Sequence, residues 1–154
     1  MTGDYLFAAT IEVLSLLFGH TSGLDEDVQS LQAIEGIDDQ ECLRLREMGV
    51  RSAHALAFTS PAYVYFRTRY SLERICDWTD QALLHVLLGE RLVRALRQHF
   101  LFRGALELRD VLRLRVETSG PGEVPGELLE ILHALEEHPQ IEVIELWRSC
   151  RVTS

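Results

Sequence analysis

The sequence predicts an all-α fold, and three observations carry that prediction. Apolar residues recur at helical spacing, most clearly at Leu72, Ile75, Cys76, Thr79, Ala82, Leu83, Val86 and Leu87, the i, i+3, i+4, i+7 pattern of one helix face. Helix punctuation falls between such runs, with Ser52, Ser60 before Pro61, and Ser71 as starts and Gly19, Gly49 and Gly89 as stops. With 47% hydrophobic and 25% charged residues in 154, the chain holds enough apolar material for one cored domain or two small helical units sharing a core.

The first element is the apolar run YLFAATIEVLSLLF, residues 5–18. A helix of that length covers about 21 Å, short of the roughly 30 Å hydrocarbon layer of a bilayer. It reads as a core helix, as a helix that pairs with a partner or second copy, or as an interfacial segment. The lack of flanking Arg or Lys disfavours the membrane contact. Gly19 ends this helix, and HTSGLDED, residues 20–27, is a linker that also caps the next element.

Residues 31–61 follow, with a short helix ending near Ile34, a break at Glu35, Gly36 and Ile37, and a second helix stopped at Gly49. Asp38 and Glu41 form an acidic capping box at the second helix's start. Gly49 supplies the left-handed terminal residue, Val50 is a buried plug and Ser52 opens a third helix. Two helices pinched around a Gly-Ile break resemble the helix-hairpin-helix family, whose members bind nucleic-acid backbone or only protein. The resemblance implies a SAM-like helical bundle.

Pro61 starts a short helix that breaks at Thr68–Ser71. The helix from Leu72 is apolar around much of its circumference, since Leu84 and Leu88 oppose the main face, so it is predicted to be central. Leu96–Leu108 then overlays Leu45–Leu56 as a worn second hairpin unit, making the resemblance tandem. Arg115–Gly126, containing TSGPGEVPG, is expected to be a loop. An amphipathic helix from Glu127 turns Leu128, Leu129, Ile131, Leu132 and Leu135 inward. From Pro139 a last helix is expected to present Ile141, Ile144, Leu146 and Trp147 on one face. Residues 112–117 and 141–147 are the segments where a strand competes with that reading. The resulting organisation is an N-terminal helix and linker (1–26), a tandem helix-hairpin-helix-like core (27–116) and a C-terminal helical extension (117–154).

Charge is distributed in blocks. The net charge is −9, all 15 basic residues are Arg, and there is no Lys. That excludes Schiff-base chemistry and the Lys of a phosphate-binding loop. Residues 1–50 carry ten acids against two Arg, whereas residues 91–115 carry seven Arg against Glu107 and Asp110. Glu35, Asp38, Asp39 and Glu41 crowd the place where a helix terminus would meet a phosphate. One carboxylate about 6 Å from a phosphate costs about 0.7 kcal/mol in water. Several outweigh the roughly 0.3–1 kcal/mol a helix terminus offers. The first pinch is therefore expected to repel nucleic acid.

The expected function is a non-enzymatic protein-interaction or scaffold module that self-associates. Its partner is another protein or a second copy, contacted through Leu14, Leu17, Phe18, Gly36, Ile37, Asp38 and Asp39. The competing expectation is nucleic-acid backbone binding through Arg91, Arg94, Arg97 and Arg103, which lies against the net charge. Arg91, Arg94 and Arg97, spaced by three, are expected on one helix face and otherwise to pair with the chain's acidic ends.

No catalytic, cofactor or metal residue is assigned. Asp77 and Asp80 are helical neighbours but His85 is off their face, so capping and ion pairing are the expected roles. The six His show no metal-ligand spacing, and Cys42, Cys76 and Cys150 are too dispersed for a disulfide framework or zinc site. Trp78 is placed at the edge of the central helix's apolar face, and Trp147 is a core residue or an interface anchor. No secretory signal is recognisable, and a cytoplasmic location is expected.

Overall fold

Helix boundaries in residues 31–72 follow local capping chemistry. In the computed structural model, which describes residues 30–100 and 102–152, a 3-10 turn at Leu31–Ala33 leads to Gly36 at φ +90°. Helix α1 (Asp39–Glu47) opens on the capping box: Asp38 Oδ1 accepts from the Gln40 and Glu41 amides, and Glu41 Oε2 accepts from the Asp38 amide. Gly49 at φ +90° ends that turn, and Val50 is buried behind it. Ser52 Oγ accepts from the Ala55 amide to start α2 (Ala53–Phe58). Helix α3 (Pro61–Arg67) begins with Pro61 in its first turn, and Ser71 caps α4 (Leu72–Phe100) by accepting from the Arg74 amide.

Helix α4 is the axis of the fold. Residues 81–85 are all buried, so the helix is enclosed on every side at its centre. Helices α2 and α3 pack on it, as do α5 (Ala105–Ser119) and α7 (Pro139–Val152); α6 (Gly126–Glu137) packs on α5 and α7. Gly89, at φ +79° and ψ +158°, breaks α4 into two helical segments. That backbone region favours glycine. Trp78 is 1% exposed, so it belongs to the centre of the core rather than to the edge of a face. Tyr70 meets it edge-on, with ring centroids 5.0 Å apart.

Among the described residues the secondary structure is helical, with no strand. Residues 112–117 and 141–147, where strands competed, lie inside α5 and α7. The loop expected from Arg115 begins later, because α5 continues to Ser119. Thr118 donates back to the Leu114 carbonyl, and the stop falls at Gly120, φ +80°. The division at 116/117 therefore cuts a helix. Val124, Leu128, Leu135, Ile141 and Ile144 share one apolar core with Leu31, Leu45 and Trp78. Leu146 is 67% exposed and does not join Ile141 and Ile144 inside, since two residues beyond Ile144 rotate it about 200° around the helix. The segment 5–18, the linker 20–27 and the candidate residues Leu14, Leu17 and Phe18 lie outside the described residues.

Candidate interaction surface

The pinch at 33–37 is fastened by arginines from distant helices. Arg74 donates to the Gly36 carbonyl at 3.0 Å and to Glu41 at 3.2 Å. Arg97 donates to the Ala33 carbonyl at 3.2 Å and to Gln81 Oε1 at 2.6 Å. Gln81 in turn accepts from the Glu35 amide and donates to the Glu35 carbonyl. Arg103 grips both Asp77 oxygens, at 2.6 and 2.8 Å, and reaches Glu35 at 2.9 Å. The Asp77 hydrogen bond holds the Arg103 guanidinium above its usual pKa.

This geometry corrects two expectations. Ile37 is buried, because its amide closes a tight turn onto the Ile34 carbonyl and its side chain faces the core, so it is not available to a partner. Gly36, Asp38 and Asp39 are exposed, although Asp38 is committed to the capping box and Asp39 accepts from Gln32. The arginine set divides as well. Arg91 is exposed, and Arg94 is exposed and paired with Glu90 at 2.6 Å. Arg97 is half-buried, since two steps of three residues turn a position by about 120° on the helix. Arg103 is spent on Asp77 and Glu35. Farther along, Arg109 is almost fully buried and holds Glu145 through two bonds of 2.9 Å, and Arg113 pairs with Glu136. The basic block thus pairs largely with acids elsewhere in the same chain.

Asp77, Asp80 and His85 are not brought together. Asp77 is in the Arg103 clamp, and Asp80 accepts from the Leu106 amide at the start of α5. Both line a cavity of about 190 Å³ beside Trp147, whereas His85 lines a separate groove with Ser30 and Arg97. Burial pushes Asp80 up to about 6 and His85 down to about 4. Cys42 and Cys76 are buried and free.

The surface that sequence reading passed over is on α2 and α3. Pro61 and Val64 fix α3 to the core, each turned inward. On the opposite side Tyr63, Tyr65 and Phe66 face outward, with Phe66 84% exposed. Phe58, at the end of α2, is also exposed, 55%, and packs between His54 and His138, with centroids 4.8 and 5.4 Å away. Arg67 lies over the Tyr63 ring at 5.0 Å. From Met48 to Leu72 there is no Asp or Glu, while Arg51, Arg67 and Arg69 are present, so this stretch of an acidic chain is locally basic and aromatic. The available signal was the spacing itself: at 100° per residue, one inward Val64 leaves Tyr65 and Phe66 facing away.

Among the described residues no helix is long and apolar enough to cross a membrane, and no group of three His, Cys, Asp or Glu is placed to hold a metal ion. No protein-family model matches the chain, and neither a curated protein nor a solved structure matches it significantly.

Proposed function

We propose that the chain is a non-enzymatic protein-interaction or scaffold module that self-associates, and that the aromatic face of α3 is its docking surface. The observation that carries this reading is the exposure of Phe66, Tyr65 and Tyr63 on one short helix, with the Tyr65 and Phe66 rings 5.6 Å apart. Exposed aromatics grouped on one helix are uncommon on surfaces without partners and common at the anchoring centres of interfaces. The absence of Asp and Glu from residues 48–72, with Arg67 over the Tyr63 ring, favours a partner surface that is apolar and acidic.

A tandem helix-hairpin-helix-like arrangement is part of the proposal. In its support, Leu45 and Leu96 are fully buried at matching places, as are Ala53 and Ala105 after each turn and Leu56 and Leu108 one turn later. Nucleic-acid binding through residues 91–115 has less support, because Arg97 and Arg103 are occupied within the chain.

Light scattering on the full chain with Tyr65→Asp and Phe66→Asp tests the docking face. The expected result is a lower solution mass at unchanged helical circular dichroism. An unchanged mass removes α3 as the docking face, and a wild-type chain that is monomeric at every concentration removes self-association.

A further inference from the structure

Helix α7 carries a second apolar surface that the core does not use. Ile141 and Ile144 are buried, whereas Val143 and Leu146 are 46% and 67% exposed, and Pro139 is exposed as well. At about 100° per residue, Pro139, Val143 and Leu146 fall within about 60° of one another, so they form one stripe down the outer side of the helix. One flank of that stripe is acidic. Glu142, in the first turn, and Glu145 are exposed along it, and the exposed Glu137 ends α6 just before α7 begins. Glu145 is held by Arg109, but Glu142 has no ion pair among the described residues.

Helix α3 presents the complementary surface. Tyr63 and Phe66 are exposed on it, Arg67 lies over the Tyr63 ring, and Arg69 is exposed just past the helix end. Among the described residues neither arginine has an ion pair. The two faces match in length, since the seven residues of α3 and the stretch from Pro139 to Leu146 each run about 10 Å. Two α3 faces set against each other would bring Arg67 and Arg69 of both copies together, and two α7 stripes would do the same with Glu142. Like charges so placed repel, whereas unlike faces set together pair these charges and cover the apolar side chains of both. Helices α3 and α7 each pack on α4 with these residues turned outward, so the pairing forms only between copies.

We infer, taking α3 as the docking face, that in the self-associated chain α3 of one copy lies against the outer stripe of α7 in a second copy. Tyr63 and Phe66 meet Val143 and Leu146, with Arg67 and Arg69 toward the acidic flank at Glu142.

Leu146→p-benzoylphenylalanine in the full chain puts an apolar photoreactive group on the stripe. Irradiated at a concentration where light scattering shows the assembled mass, it is expected to give an adduct at dimer mass whose crosslinked peptide falls within residues 61–69. Adding Tyr65→Asp and Phe66→Asp to that chain is expected to lower the yield at least about five-fold. Charge is read separately. Arg67→Glu with Arg69→Glu in one variant, and Glu142→Arg in another, are each expected to lower the solution mass at unchanged helical circular dichroism. Mixed in equal amounts, the two variants are expected to regain it, because each then meets opposite charge on the other. An adduct only at monomer mass, a crosslinked peptide outside residues 61–69, charge variants of unchanged mass, or no recovery on mixing overturns the pairing. If Tyr65→Asp with Phe66→Asp lowers the mass while Leu146 crosslinks elsewhere, α3 keeps its docking role and only the α7 stripe is lost as its partner. An unchanged mass in that double variant removes the docking role and the pairing with it.

Discussion

The Asp80 carboxylate occupies the space that a side chain on residue 104 would need: a Cβ built on Gly104 would collide with the Asp80 carboxyl oxygens. Gly104 is the N-cap of α5 and has no side chain with which to cap it. The Leu106 amide instead donates to Asp80 Oδ1 at 2.9 Å, so a residue of α4 caps the next helix across the loop.

Gly104→Ala is therefore expected to push Asp80 off the Leu106 amide and to cost about 1–3 kcal/mol, the range for losing a cap and leaving a buried donor unpaired. Urea denaturation followed by circular dichroism measures it. Gly122→Ala, where a Cβ meets nothing within 4 Å, is the control and should change stability little.

Two buried groups set opposing pH responses. Burial, first of all, pushes Asp80 up to about 6 from the ordinary 3.8 of a free carboxylate, so the stability linked to it is greatest below about 4 and is lost as pH rises through 6. His85 titrates near 4 against 6.5, lowered first by burial, so its contribution is full above 6.5 and is lost as pH falls toward 4. Each is on the order of 2–3 kcal/mol, and between pH 4 and 6 they largely cancel. Asp80→Asn retains the acceptor for Leu106 and removes one side of the balance. The variant is expected to match or exceed wild type at pH 7–8 and to lose stability steadily from pH 6.5 to 4, as measured by urea midpoints across that range.

The Arg109–Glu145 pair is expected to matter more than Arg94–Glu90. The Arg109 side chain is 5% exposed, and Glu145→Ala leaves it with Asp110 as its remaining partner. A loss of about 1–3 kcal/mol is expected, with little dependence on salt. Glu90→Ala breaks an exposed pair and should cost under about 0.5 kcal/mol. Thermal melts at low and high NaCl separate the two.

Gly36 has a double reason to be glycine. Its φ is +90°, and a Cβ there would stand 3.2 Å from Trp78 Nε1. Gly36→Ala is expected to cost roughly 1–3 kcal/mol, combining left-handed strain with displacement of a core indole. Near-ultraviolet circular dichroism should report the changed Trp78 environment.

What the sequence made legible was the local chemistry of helix ends. Asp38 with Glu41, Gly49, Ser52, Pro61, Ser71 and Gly89 act through backbone groups within a few residues, so their roles can be read without knowing the fold; Ser60 holds the N-cap position of α3 but its side chain makes no capping bond. The centrality of α4 was legible too, because residues apolar on opposite sides require cover on both. Features set by tertiary placement were not. Arg97 and Arg103 each reach one partner more than sixty residues away, Ala33 and Glu35, and the cap on Leu106 comes from another helix. Tyr63, Tyr65 and Phe66 passed as an ordinary short helix because aromatic residues are usually counted toward a core. The end of α5 was placed too early because Thr118 and Ser119 read as loop residues, while the helix stops only where Gly120 takes a positive φ.

The arginine fastenings at 33–37 also fix an order of events during synthesis. Ala33, Glu35 and Gly36 emerge from the ribosome well before Arg74, and longer still before Arg97 and Arg103, on which their carbonyl and carboxylate bonds depend. Until the start of α5 has been translated, the nascent chain carries an unlocked turn with its negative charges unopposed. Productive closure of this turn is therefore a late, long-loop step, and a release of the chain before residue 103 should leave the turn without its fastening and exposed to proteolysis.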